Sequence, residues 1–240
     1  SGKKVWLGGN ILVSPLTFLS KVRSDHVVVL ELSSWQCESL SKSKAPRVAV
    51  ATNLMRDHLN TYDGMDDYAE AKAQIFRHQT AADVVVLNGD DDYGRRWMPE
   101  APSRVLAFGW KNGAAHVKGS DIVIRTGKKD ARLVRLNRLP LLGRHNVMNV
   151  MAAVLAARSA SASLSGIARG IKAFRPLPHR LEFVRVVRGV TYVNDTCATT
   201  PDGTIAAIEA LATDHRHIWL IAGGADKELE YGELAKTIKR

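Results

Sequence analysis

The sequence predicts an α/β architecture with parallel strands, and three observations predict it. The runs VVVLEL at 27–32, VAVA at 48–51 and VVVL at 84–87 are apolar and continuous but for Glu31, as strands covered on both faces of a parallel sheet are. Helix-like segments alternate with them, the order that βαβ units impose. Polar residues follow the ends of the runs, beginning with Glu31, Thr52 and Asn88, at the carboxyl ends of strands where open α/β sheets bind ligands.

The elements follow in order. After the strands at 27–32 and 48–51, residues 68–79 read as a helix dense in Ala, Lys and Gln, with Ile75 and Phe76 on one side. The strand at 84–87 ends at Asn88-Gly89, and 105–108 gives another. From 114 to 139 the pattern shifts to short β segments with turns at Gly119 and Gly127. An Ala-rich helix covers 146–159 and a second helix 164–174. Pro176-Leu177-Pro178 reads as an interdomain linker, because proline stops helices and stiffens a joint. The boundaries predicted are therefore 1–176 and 177–240. Beyond the linker come strands at 181–187 and 190–194, a helix near 202–212, a buried strand IWLIA at 218–222 ending in Gly223-Gly224, and a last helix near Tyr231.

Composition excludes several classes. A chain of 240 residues, 45% hydrophobic, builds one large core or two smaller ones. The net charge of +10 favours anionic partners such as nucleotides. The basic residues are scattered, in short clusters such as Lys42/Lys44/Arg47 and Lys128/Lys129, with no aromatic interleaving, so no specific nucleic-acid face is expected. Cys37 and Cys197 form neither a Cys-x-x-Cys pair nor a zinc spacing, which suits a reduced cytoplasmic protein. No apolar run approaches the ~20 residues that span a bilayer.

Read alone, the polar residues leave alternatives open. Glu31 suits a Mg²⁺ ligand, since hard cations take oxygen donors, or a plain strand-end cap. His58, in TNLMRDHLN, is a neutral-imidazole metal ligand or an ordinary loop residue. Lys72, inside YAEAKAQIF, is a solvated helix lysine unless something buries it. Asn146 in GRHNVMN reads as the helix N-cap.

The strings ELSSWQCE, ATNLMRDHLN, YAEAKAQIF, VLNGDDD, LLGRHNVMN, LPHRLE, NDTCATTP and GGADK occur in this order across nearly the whole chain. Together they resemble the ATP-dependent Mur ligase family of peptidoglycan precursor synthesis. GGNI at 8–11, ELSSWQ and NDTxATTP resemble its D-glutamate-adding branch. The resemblance implies a P-loop-type ATPase domain without its first strand and loop, then the opening part of a Rossmann-like domain. It implies a monomeric cytoplasmic ligase using ATP and Mg²⁺ on UDP-N-acetylmuramoyl-L-alanine and D-glutamate. By the same resemblance, Glu31, His58 and a carbamate on Lys72 hold Mg²⁺ and serve catalysis. Asn146 and Asn149 read adenine, Arg180 and Asp195 contact phosphate and ribose, Asn10 holds the muramoyl substrate, and Thr199 and Lys227 hold the incoming amino acid.

The sequence departs from the family pattern at three places. Cys197 stands where lysine is frequent, which removes a cationic contact. Leu12 follows GGNI where glycine is usual. No Gly-x-x-x-x-Gly-Lys-Ser/Thr phosphate loop occurs anywhere. By itself the chain is therefore expected not to turn over ATP. The alternatives are a non-catalytic nucleotide-binding remnant, or another amino-acid ligase of the Mur or folylpolyglutamate synthase kind.

Overall fold

The computed structural model describes residues 2–11, 13–40, 45–215, 217–225 and 229–239. The strands are β1 (Val5–Gly9), β2 (Val27–Glu31), β3 (Val48–Ala51), β4 (Val84–Asn88), β5 (Arg104–Gly109), β6 (Ala115–Lys118), β7 (Asp121–Thr126), β8 (Lys129–Arg135), β9 (Glu182–Val187) and β10 (Val190–Asn194). The helices are α1 (Ser34–Glu38), α2 (Met65–Arg77), α3 (Asp92–Trp97), α4 (Arg144–Ser159), α5 (Leu164–Ala173), α6 (Pro201–Ala212) and α7 (Gly232–Ile238).

A six-stranded sheet in the order β3-β4-β5-β6-β7-β8 forms the centre. It is mixed: β3 to β6 run parallel, and β6, β7 and β8 form an antiparallel meander. The meander follows from the turn glycines, Gly119 and Gly127, both at positive φ. Strand β4 shows how VVVL builds two cores at once. Val84 and Val86 face the cluster of Phe108, Ile122, Met151 and Leu155. Val85 and Leu87 face Ala73, Phe76 and Trp97. Helices α4 and α5 thus cover one face and α2 and α3 the other, the doubly covered arrangement expected of an apolar parallel strand. Each fully buried Val or Leu contributes about 1.5–3 kcal/mol, against roughly 0–1 kcal/mol for an exposed ion pair, so the sheet core fixes this architecture.

Two expectations need correction. The run at 27–32 forms a parallel strand, but β2 pairs only with β1 in a separate two-stranded sheet. Val28, Val29 and Leu30 are each 40% or more exposed. The apolar run encodes a strand, but burial requires elements packed on its faces, and those are set by the tertiary fold. Residues 218–222 form no strand, and Ile221 is 99% exposed. An apolar run becomes a strand only where a partner edge accepts its hydrogen bonds. The strands expected at 181–187 and 190–194 are present, and β9 and β10 form an antiparallel hairpin around Arg188-Gly189.

Residues 176–178 lie between α5 and β9 with no regular structure. Helix α6 packs on α4 and on α7. Among the described residues no helix is long and apolar enough to cross a membrane.

Candidate functional site at the carboxyl ends of the strands

The loop after β1 is built around Gly9. Its φ is +100°, and a side chain there would meet the Glu31 carbonyl oxygen at 2.1 Å, so only glycine fits. This close approach carries Asn10 onto the end of β2. The Asn10 amide donates to the Glu31 carbonyl at 2.8 Å, and its side-chain amide reaches Glu31 Oε1 at 3.5 Å. Asn10 and Glu31 are thereby brought together.

After β2 the chain turns directly into α1. Ser33 and Gln36 form a reciprocal capping box: the Gln36 amide donates to Ser33 Oγ at 3.3 Å, and the Ser33 amide to Gln36 Oε1 at 2.9 Å. This is the local reason for the string SSWQ. It sends Trp35 toward the loop after β3, where its ring lies 5.2 Å from that of His58. His58 sits in the left-handed region at φ 56°, and its amide donates to Asp57 Oδ1 at 2.9 Å. Its ring then meets Tyr68 of α2 at 5.8 Å. Lys72, one turn further along α2, places its Nζ 4.9 Å from the same Tyr68 ring.

His58 and Lys72 therefore flank one buried tyrosine, and Trp35 ties them to the β2–α1 junction. Glu31 makes its contact with Asn10, and among the described residues no hydrogen bond or ion pair joins it to His58 or Lys72. Burial pushes the Lys72 ammonium below its ordinary pKa, opposed by Cys37 and Asp57 nearby. Burial likewise raises the Cys37 thiol, against the effect of Lys72. Among the described residues, no three His, Cys, Asp or Glu side chains cluster as a ready metal site.

The segment NGDDD is a bracket for the adjoining strand ends. The Asn88 side chain donates to Thr52 O at 2.9 Å, the Trp110 amide donates to Asp90 at 2.7 Å, and Asp91 caps α3 by accepting from Gly94 at 2.8 Å. The first two bonds tie together the ends of β3, β4 and β5, and Arg144 at the start of α4 lies 3.6 Å from Asp90.

The N-cap of α4 is Gly143, so Asn146 lies within the first turn and does not cap it. Its side chain donates backward to Leu142 O at 2.7 Å, and Asn149 stands 3.5 Å from Asn146 Oδ1. The two asparagines are thus together on one helix face. Beyond residue 178, Asp195 Oδ1 accepts from the Leu181 amide at 2.8 Å. That bond fixes the turn carrying Arg180, whose neighbours His179 and Leu181 both have positive φ, a costly conformation that surrounding structure must enforce. Arg180 is exposed. Thr199 is exposed just before Thr200, the N-cap of α6. Lys227 and Leu12 lie outside the described residues.

Two histidines belong to this region and were not singled out from the sequence. His179 accepts from the Asn194 side chain at 2.8 Å, and its place in LPHRLE beside Arg180 was the available signal. His145 is partly buried, which pushes its imidazole down in pKa, while Asp195 acts to raise it. The residue next to Asn146 is thereby coupled to the segment beyond the linker.

Comparison with known proteins decides the kinship. The Mur ligase middle domain matches residues 9–157, and the glutamate ligase domain of Mur ligases matches residues 179–240. The chain belongs to the Mur ligase family. A UDP-N-acetylmuramoylalanine–D-glutamate ligase of Symbiobacterium thermophilum is 38% identical over 99% of this chain and 52% of its own length. The ligase of the same name from Acetivibrio thermocellus is 36% identical over 99% of this chain and 50% of its own. The chain therefore spans about half the length of these curated Mur ligases. Among solved structures, MurF from Acinetobacter baumannii superposes with a TM-score of 0.69 at 22% identity, covering 89% of this chain and 55% of that one. MurF from Thermotoga maritima in complex with ADP gives 0.67 at 21% identity, covering 88% and 51%. These superpositions establish the Mur ligase fold for the chain.

Proposed function

We propose that this chain is the central and early C-terminal part of an ATP-dependent amide ligase of peptidoglycan precursor synthesis. The ligase joins D-glutamate to UDP-N-acetylmuramoyl-L-alanine. The observation that carries the reading is the match along the whole chain to relatives named for adding D-glutamate. What supports it in the geometry is that Asn10 meets Glu31, His58 and Lys72 share Tyr68, and Asn146 stands beside Asn149.

In this reading 1–176 is the nucleotide domain and 177–240 the start of the acceptor domain. The protein acts as a cytoplasmic monomer. ATP gives its γ-phosphoryl group to the muramoyl-alanine carboxylate, releasing ADP; the D-glutamate amine then attacks the acyl phosphate and expels phosphate. Catalysis rests on positioning and charge stabilisation. Asn146 and Asn149 hold the base, Asp195 the ribose and Arg180 the phosphates, for which its planar fork is suited. Asn10 orients the muramoyl carboxylate beside Glu31, and Thr199 and Lys227 receive D-glutamate.

The donor set fits Mg²⁺. Glu31 supplies a carboxylate and His58 an imidazole. Among the described residues no carboxylate lies within ion-pair distance of Lys72, and burial favours its neutral amine. A neutral amine can take up CO₂ as a carbamate, whose oxygen is a hard donor. When bound, Mg²⁺ would neutralise charge on the transferring phosphoryl group.

An acceptor panel tests the assignment. A protein carrying this chain, given ATP and UDP-N-acetylmuramoyl-L-alanine, is offered D-glutamate, L-alanine, diaminopimelate and L-lysine. D-glutamate is the expected acceptor; preference for another overturns the branch assignment.

A further inference from the structure

The N-terminal end of α4 and the last turn of α6 meet at one point. A methyl group built on Gly143 would lie 2.7 Å from His145 Cε1, 2.9 Å from His145 Nδ1 and 2.8 Å from the Ala210 Cβ. The Gly143 backbone, the imidazole and the Ala210 methyl therefore close on a space with no room for a further atom. Ala210 is 5% exposed.

This contact joins two parts of the chain that the Pro176-Leu177-Pro178 segment separates. Helix α4 covers the six-stranded sheet; α6 follows Asp195 and the exposed Cys197–Thr199 stretch. Elsewhere the described residues connect the loop after β3 to the segment before α7 through Arg56 and Glu230, 2.8 Å apart. Both of those side chains are more than half exposed, and such a pair contributes little. The approach of Gly143 to Ala210, with the His145 ring against the same glycine, is the packed one.

Its place on the helix matters. His145 stands four residues before Asn149, so the two share a face of α4. Asn146 lies beside Asn149. Asp195 acts on the same imidazole from beyond the linker. His145 thus stands beside the asparagine pair on α4 and within electrostatic reach of Asp195, the groups assigned above to the nucleotide.

We propose that His145 is a positioning residue: its ring, packed on Gly143 at the point where Gly143 meets Ala210, helps to seat α6 on α4 and so sets Asp195 opposite Asn146 and Asn149. The proposal rests on the nucleotide reading and adds the element that holds its two halves in register. An imidazole suits the task because it is flat enough for the narrow gap and rigid enough to transmit position.

The test uses the intact chain and needs no turnover. Hydrogen exchange is compared for the unaltered protein, His145→Ala, His145→Gln and Ala210→Leu. In His145→Ala the α6 amides should exchange roughly tenfold faster while β4 and α2 keep their protection. Ala210→Leu wedges the same gap from the other side and should act alike, whereas His145→Gln refills most of it and should restore most protection. Unchanged α6 protection in both His145→Ala and Ala210→Leu overturns the proposal. Calorimetric titration with ATP separates it from the reading it rests on. If Asn149→Ala weakens ATP binding and His145→Ala does not, the positioning role falls and the nucleotide reading stands. If Asn149→Ala leaves ATP affinity unchanged, both fall. Weaker binding in both variants, with loosened α6 in His145→Ala alone, supports the proposal.

Discussion

Asn10 and Glu31 are joined twice, by the Asn10 main-chain amide on the Glu31 carbonyl at 2.8 Å and by the Asn10 side chain on Glu31 Oε1 at 3.5 Å. The second contact leaves the other carboxylate oxygen free of Asn10. In a protein carrying this chain, Glu31→Gln keeps the shape and removes the charge, so the Mg²⁺ concentration for half-maximal activity should rise at least about tenfold, the scale of losing a charge-assisted ligand. Asn10→Ala should instead raise the KM for the muramoyl substrate. Magnesium titrations of both variants check the distinction; an unchanged Mg²⁺ requirement in Glu31→Gln removes Glu31 from the cation site.

Lys72 gives a second prediction. Its Nζ rests over Tyr68 in a half-buried position, where the neutral amine is favoured. Lys72→Ala should abolish most activity, Lys72→Arg should not restore it, and acetate or formate should partly rescue the alanine variant. Carbon-13 NMR with labelled bicarbonate gives a readout independent of turnover, a carbamate signal that Lys72→Ala lacks. A fully active Lys72→Arg makes Lys72 an ordinary helix lysine.

Gly143 sits at φ +88° against His145 and Ala210. Gly143→Ala should therefore cost about 1–3 kcal/mol from the backbone conformation, with crowding added. Urea unfolding measures it. Gly170, with open space around it inside α5, is the control, and Gly170→Ala should be neutral or stabilising.

The same junction predicts a pH dependence. Burial holds the His145 imidazole below 6.5, against the pull of Asp195. The folded state thus takes up this proton at lower pH than the unfolded chain does. The group's contribution to stability is complete above 6.5 and falls as pH drops from there through the lower folded value. Between about pH 7.5 and about pH 5.5, His145→Gln should lose less stability than the unaltered chain. Equal losses would falsify the assignment.

The cysteines should differ in reactivity. Cys37 is buried with its thiol raised in pKa, whereas Cys197 is exposed. A disulfide reagent should therefore modify Cys197 rapidly in the folded chain and Cys37 only on unfolding. In a protein carrying this chain, Cys197→Lys should lower the KM for D-glutamate, since a well-placed charged contact contributes roughly 1.5–3 kcal/mol. A raised KM would show the cation is supplied elsewhere.

The sequence by itself determined the local elements and the kinship. Apolar runs specified β3, β4 and β5, glycines placed the turns of the meander, Ser33 and Gln36 capped α1, and the ordered motifs pointed to the Mur ligase family. All of these are signals carried within a few residues. Only the tertiary structure decided what those elements touch. VVVLEL and IWLIA have the same apolar character as VVVL, yet they stay exposed, because burial depends on neighbouring elements that no local pattern encodes. Asn146 looked like a cap until the positive φ of Gly143 took that place. The pairing of His58 with Lys72 through Tyr68, and the approach of Ala210 to Gly143 and His145, join residues from different elements. Their approach is set by how helices pack on the sheet and on each other, which residue spacing along the chain does not record.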